Sequence, residues 1–255
     1  MLFSDRPRVH YEKTSLHEVI CQVRFPAILS INTKSPADFQ ESIRAAFPQY
    51  IARQETVAPP QKPAAQVTNH HFISADNRWK VNLTQDFISL STLHYTGWED
   101  FARQLDKVLA AFIQVYNPAF FQRVGLRYVN IISRKQLALE DYAWTELLAP
   151  AYCGPMLQED VREDMFSSCM LDFTVKPDSS CVAHIRSGPS RIKVNAPNAP
   201  QDPEMKFLLD MDTSMSGQLP CTLAAGALET LHAHAGRLFE GAITDTLRDA
   251  MHAPE

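Results

Sequence analysis

The sequence lacks the short motifs that mark common nucleotide-binding and hydrolytic sites. It contains no G-x-x-x-x-G-K-[ST], no G-x-G-x-x-G, no G-x-S-x-G and no H-E-x-x-H. Glycine is scarce, with 8 in 255 residues, so little material exists for loops whose backbone amides approach a ligand. These absences disfavour nucleotide hydrolysis and standard zinc proteolysis.

Cysteine and histidine lack the spacing of a metal site. The cysteines are odd in number, widely separated and never arranged as C-x-x-C: Cys21, Cys153, Cys169, Cys181 and Cys221. Adjacent strand residues face opposite sides and helix residues two apart diverge by about 200°, so His70-His71 and His232-Ala233-His234 are poor chelating pairs. We therefore expect reduced thiols in a cytoplasmic protein, with no cofactor and no metal site.

The sequence also lacks a membrane span and a strong net charge. No apolar run is long enough to cross a bilayer, and residues 1–10 carry three charges without an apolar signal region. The formal net charge of −5 gives no global attraction to phosphate backbones. We expect no membrane association, and nucleic-acid binding would need a local basic patch.

Apolar periodicity in the first half predicts strands interrupted by two helices. Ser35-Pro36 is typical of a helix start, and Thr96 with Glu99 fits a capping box before an apolar stripe. The predicted order is a strand at 18–25, a helix at 36–51, a three-stranded meander within 67–94, a helix at 98–115 and a strand at 121–132.

The second half repeats this mixture less regularly. The predicted elements are a short helix at 142–148, a hairpin of 166–175 with 181–186, a strand at 206–213, and one long or two shorter helices within 228–251. Proline-rich connections lie at 59–63 and 195–203.

This order of elements predicts an α+β fold, with antiparallel sheet and helices packed mainly on one face. The chain divides into a strand-helix-meander-helix-strand half, 1–135, and a hairpin-strand-helix half, 136–255. These are two loosely related halves or one continuous domain.

Three short segments carry a resemblance to known proteins. Glu18–Pro26 (EVICQVRFP), Gly125–Asn130 (GLRYVN) and Phe207–Asp212 (FLLDMD) together resemble a sporadically distributed bacterial family without assigned function. The resemblance spans most of the chain. It implies a bacterial cytosolic protein and a mobile locus, including antiviral defence, but brings no catalytic residues with it.

Charged side chains within predicted strands form the first candidate site. Asp210 and Asp212 share a strand face and could jointly hold a hard cation, with Asp172 joining from a neighbouring strand. Arg24 and Arg127 lie in apolar strands, where an arginine needs a carboxylate partner or a solvent-filled cleft. We expect the two arginines to form a neutralising polar layer with Asp210 and Asp212. The alternative is a clamp for a phosphate or carboxylate.

A basic stretch around Gly188-Pro189 forms the second candidate site. As a loop it would present cations to nucleic acid or another anionic partner, and as a hairpin edge its charges would only prevent aggregation. No aromatic residue is interleaved, so base stacking has no support. The basic residues are His184, Arg186, Arg191 and Lys193.

The sequence has clear strand and helix patterns but no recognisable set of catalytic residues. This favours a non-enzymatic binding or protein-interaction protein with an unidentified protein partner. Two alternatives stay open. The first is a divalent-metal-dependent enzyme acting on nucleic acid or a phosphoester, with Asp210 and Asp212 as ligands. The second is nucleic-acid binding without catalysis through residues 186–193.

Overall fold

A computed structural model describes residues 2–57, 65–166, 168–191 and 204–252. The strands within these ranges are β1 (Leu16–Arg24), β2 (Gln49–Val57), β3 (Ala65–Ile73), β4 (Trp79–Leu83), β5 (Phe87–Thr92), β6 (Phe121–Ile132), β7 (Leu171–Val175), β8 (Cys181–Ser190) and β9 (Lys206–Leu219). The helices are α1 (Leu29–Thr33), α2 (Ala37–Ile43), α3 (Trp98–Tyr116), α4 (Arg134–Leu137), α5 (Trp144–Leu147), α6 (Ala224–Ala242) and α7 (Asp245–Ala250).

The strands form one antiparallel sheet in the order β2-β3-β4-β5-β1-β6-β9-β8-β7. The predicted α+β class is therefore confirmed. The meander is β3-β4-β5 and the hairpin is β7-β8, both with antiparallel pairing. Within the described ranges, no helix is long and apolar enough to cross a membrane.

The chain divides into two compact units that each draw on separate segments. Unit 1 contains Met1–His17, Arg127–Thr213 and His232–Glu255, and unit 2 contains Glu18–Leu126 and Ser214–Leu231. Strands β1, β6 and β9 and helix α6 contribute residues to both units. The predicted halves, by contrast, are continuous stretches of chain.

The core of unit 2 is built around the apolar stripe of α3. Phe101, Leu105 and Phe112 are buried on one face of this helix, as the periodicity predicts. The Phe112 ring lies 4.6 Å from Phe25, which follows β1, and the Phe101 ring lies 5.8 Å from Trp79 on β4. The helix therefore packs against the strands of the meander and β1.

Three details of the first half differ from the predicted ones. The predicted capping box does not form: Gly97 is the N-cap without a side-chain bond, and the Thr96 hydroxyl donates to Asp100 at 3.0 Å. Helix α2 ends at Ile43, and residues 49–51, assigned to its last turn, belong instead to β2. Strand β2 was missed because every side chain from Gln49 to Thr56 is exposed, which leaves no apolar alternation to detect.

The core of unit 1 lies between strands β8 and β9 and the helices α5, α6 and α7. Trp144 on α5 and Phe207 on β9 are fully buried, with ring centroids 5.2 Å apart. The C-terminal stretch forms two helices, which settles the alternative left open by the sequence. The N-terminal segment joins this core through Tyr11, whose hydroxyl donates to Glu240 at 2.8 Å.

The proline-rich connections at 59–63 and 195–203 lie outside the described residues.

Candidate functional site

Strand alternation in unit 1 separates an apolar face from a charged one. On β9, Leu209 and Met211 are fully buried in the core, so Asp210 and Asp212 point to the opposite face. This is the arrangement that the sequence pattern predicts. A charged layer therefore lies on the side of the sheet away from the helices of the core.

Arg127 and Asp210 form the central ion pair of this layer. The Arg127 Nε donates to Asp210 Oδ1 at 2.7 Å and its Nη2 donates to Oδ2 at 2.6 Å, which is the bidentate geometry of a strong charge-assisted pair. The Asp210 side chain is only 6% exposed, whereas that of Arg127 is 42% exposed. Both carboxylate oxygens of Asp210 are thus engaged by the guanidinium.

A second charged group lies on the β7-β8 hairpin. Its register places Asp172 opposite Arg186, with Thr174 opposite His184. The His184 Nε2 lies 2.5 Å from Asp172 Oδ1, and the Arg186 Nε lies 3.8 Å from Asp172 Oδ2. The latter distance is too long for a hydrogen bond. Asp172 therefore lies beside both basic side chains of the hairpin, His184 and Arg186.

Five charged or titratable side chains of unit 1 line one cavity of about 210 Å³. They are Arg127, His184, Arg186, Asp210 and Asp212. Pockets for whole cofactors and drug-sized ligands occupy about 300–1,000 Å³. This cavity, called the charged cleft below, is therefore sized for one ionic group of a ligand.

The charged cleft does not have the donor set of a metal site. Within residues 2–57, 65–166, 168–191 and 204–252, no group of three or more His, Cys, Asp or Glu side chains could hold a metal ion. A cation at Asp210 would also have to displace the guanidinium of Arg127 from both oxygens.

The remaining candidate residues are placed elsewhere or only partly described. Arg24 is exposed in unit 2, where its Nε donates to Gln22 Oε1 at 3.2 Å, whereas the other three members of the predicted layer belong to unit 1. Arg191 is exposed directly after β8, and Lys193 lies outside the described residues.

The predicted cationic loop begins later than the sequence indicates. Strand β8 continues to Ser190, so His184 and Arg186 are strand residues and Gly188-Pro189 is not a turn. Gly188 has φ +157°, and an added Cβ would collide with the carbonyl oxygen of Cys169. Glycine at this position permits a close backbone approach within a strand, whereas the Gly-Pro pattern alone predicts a loop.

The paired histidines of α6 contact different partners. The His232 Nδ1 lies 2.6 Å from the Tyr128 hydroxyl and 3.1 Å from Arg8 Nη1, whereas the His234 Nε2 lies 2.7 Å from Asp178. The expected divergence of residues two apart on a helix is confirmed. Arg8 was not singled out in the sequence, because a charge in an irregular N-terminal segment carries no periodic signal.

The environment of His232 predicts a loss of stability in mild acid. Burial, assisted by Arg8, lowers the pKa of His232 from 6.5 to about 3. The folded chain keeps this imidazole neutral while the unfolded chain is protonated below about pH 6.5, so its stabilisation is present above that pH and is lost as pH falls towards 3. We expect a loss of about 1–2 kcal/mol by pH 5.

Chemical denaturation of the wild type and His232→Gln at pH 7 and pH 5 measures this loss. The variant should lose less stability between the two pH values, and the exposed control His94→Gln should behave like the wild type. Equal losses in the His232 variant and the wild type would contradict the expectation.

Burial makes Cys21 and Cys153 unsuited to nucleophilic chemistry. All five are free thiols. Burial raises the pKa of Cys153 to about 11 and that of Cys21 to about 12, so both are neutral at physiological pH. The charged cleft, which gathers five charged or titratable side chains, is the strongest candidate site in unit 1.

Known protein-family models and curated proteins contain no match to this chain.

Proposed function

We propose that the protein is a non-enzymatic binding protein, and that the charged cleft receives an acidic group of a protein partner. The observation that carries the proposal is Arg186. Its side chain lines the cleft, and in the part of the chain that the structure describes it makes no hydrogen bond; its ion-pair partner Asp172 lies 3.8 Å from its Nε. Its side chain is 45% exposed, which leaves it accessible to a ligand.

The chemistry of arginine supports an anionic ligand group. A guanidinium presents donors in a planar fork that matches a carboxylate or phosphate. Arg127 is held by Asp210, so a second guanidinium has a fixed position in the cleft. An acidic group binding at Arg186 would therefore enter a site that is largely preorganised.

The carboxylates of the cleft favour a protein partner over nucleic acid. Its lining balances two arginines with two aspartates, so it offers no accumulation of positive charge. Asp210 and Asp212 would repel the successive phosphates of a nucleic-acid backbone, whose binding depends on accumulated positive charge. A single acidic side chain flanked by amide donors matches both signs of charge in the cleft.

The proposed setting is the bacterial cytosol. The five free thiols support a reducing compartment. The resemblance carried by EVICQVRFP, GLRYVN and FLLDMD supports membership of the sporadically distributed bacterial family, and with it a role accessory to a mobile or antiviral-defence locus.

Removing the Arg186 guanidinium should weaken binding of an acidic partner. We expect Arg186→Ala to raise the Kd of a co-purifying protein, or of a synthetic peptide with one central glutamate, by about 10–100-fold, because a hydrogen bond to a charged group contributes about 1.5–3 kcal/mol. Arg162→Ala is the matched control, since it removes an exposed arginine of the same unit. Isothermal titration calorimetry measures both.

Unchanged affinity in Arg186→Ala would contradict the proposal. Two further measurements decide between the alternatives. Tighter binding of a DNA or RNA oligonucleotide than of the peptide, lost in Arg186→Ala, would favour a nucleic-acid-binding protein. A rise in the unfolding midpoint with Mg²⁺ or Mn²⁺ that disappears in Asp210→Asn and Asp212→Asn would favour the metal-dependent enzyme.

A further inference from the structure

Strand β2 ends the sheet, and no other strand of residues 2–57, 65–166, 168–191 and 204–252 pairs with its outer edge. It pairs with β3 along nine residue pairs, and β3 is its neighbour in the strand order. All of its described side chains, Gln49 to Thr56, are exposed. Such an edge offers backbone donors and acceptors to another strand.

The usual protections of an edge strand are sparse in β2. Its sequence, QYIARQETV, contains no proline, glycine or lysine, and Arg53 and Glu55 are its only charged residues. Tyr50 and Ile51 are among the large hydrophobic residues that remain exposed. The strand is thus long and carries no formal net charge, which favours pairing.

The two charged residues of β2 lie on the same face of the sheet, where they can interact with a strand that pairs with the outer edge. Arg53 lies opposite Asn69 of β3 and makes no ion pair within the described ranges. Glu55 accepts a hydrogen bond from Asn69 Nδ2 at its Oε1 atom, 2.9 Å away, which holds the carboxylate on this face. The other oxygen, Oε2, makes no hydrogen bond in the described part of the chain.

Symmetry limits how two copies of β2 can pair. A two-fold axis perpendicular to the sheet makes the two strands antiparallel and keeps their faces aligned. One residue of β2 must then lie directly opposite its own copy in the partner, with the axis midway between the two. An axis at Arg53 would oppose two arginines, and an axis at Glu55 would oppose two glutamates. Like charges directly opposite each other are destabilising.

An axis at Gln54 gives a complementary register. Each Arg53 then lies opposite the partner's Glu55, so the pairing contains two opposite-charge pairs, while Ala52 lies opposite the partner's Thr56. An axis at Ala52 would instead leave Arg53 opposite the partner's Ile51. We propose that β2 pairs with β2 of a second copy of this chain, antiparallel and centred on Gln54.

This pairing extends the sheet across two chains and does not depend on the charged cleft. Wild-type protein should show a concentration-dependent monomer-dimer equilibrium in sedimentation velocity. Arg53→Glu and Glu55→Arg should each weaken the dimer by about tenfold or more, because both symmetric pairs become like-charged. The double variant Arg53→Glu, Glu55→Arg restores opposite charges and should restore the wild-type equilibrium.

Arg103→Glu on α3 is the matched control, because it reverses the charge of an exposed arginine in the same unit. Circular dichroism verifies that each variant stays folded. A monomer at every concentration overturns the proposal and leaves the edge to a different partner. The proposal is also overturned if neither single charge reversal weakens the dimer, or if the double variant does not restore it. The same holds if Arg103→Glu weakens the dimer as much as the β2 variants do.

Discussion

Leu105→Ala is expected to lower the free energy of unfolding by about 2–5 kcal/mol. Leu105 is 2% exposed in the middle of the apolar stripe of α3, between Phe101 and Val108. Truncation removes buried methyl and methylene groups and leaves a cavity beneath a long helix. Because proteins of this size are stabilised by only about 5–15 kcal/mol, the loss is a large fraction of the total.

Guanidinium denaturation followed by circular dichroism measures this change. Lys107→Ala, at an exposed position on the same helix, is the control and should change stability by less than about 0.5 kcal/mol. An unfolding midpoint in Leu105→Ala equal to that of the wild type would show that α3 does not stabilise the core as its burial indicates.

Arg127→Ala is expected to destabilise the protein by about 2–4 kcal/mol, between the values typical of exposed and fully buried ion pairs. The reason is the unequal exposure of the two partners. Removing Arg127 leaves a nearly buried Asp210 carboxylate without its bidentate partner, whereas removing Asp210 leaves an arginine that water can reach. Arg127→Ala should therefore cost more than Asp210→Ala.

A double-mutant cycle with both alanine variants isolates the coupling between Arg127 and Asp210. We expect a coupling free energy above about 1 kcal/mol, and a much smaller coupling for the exposed pair Arg162 and Asp164. Additive effects at Arg127 and Asp210 would show that the pair contributes no specific stability.

Elements with a buried face could be predicted from the sequence. Strand β6 begins and ends at the predicted residues, and α3 differs by one residue at its C-terminal end. Both bury apolar side chains at a regular period, so the pattern in the chain reflects their packing. Strand β2 has no buried face, and its Tyr50 continued the spacing of the preceding helix, so local periodicity assigned it incorrectly.

The sequence predicts which face of the sheet the charged residues of the candidate site occupy, but only partly which of them pair with each other. Alternation placed Asp210 and Asp212 on the polar side of β9. Pairing of Arg127 with Asp210 depends on β6 and β9 being neighbours, although 73 residues separate the end of one from the start of the other. That adjacency depends on the whole sheet, which explains why Arg24 was an equally reasonable candidate from the sequence.

The discontinuous course of the chain has a consequence during synthesis on the ribosome. The core of unit 1 includes Tyr11 near one end of the sequence and Met251 near the other, and Tyr11 bonds to Glu240. Contacts of such long sequence separation form slowly, because a large loop must close before they stabilise anything. A nascent chain therefore holds the strands of unit 1 without α6 and α7 until those helices have been synthesised, and the apolar surface left exposed in the meantime favours aggregation or chaperone binding.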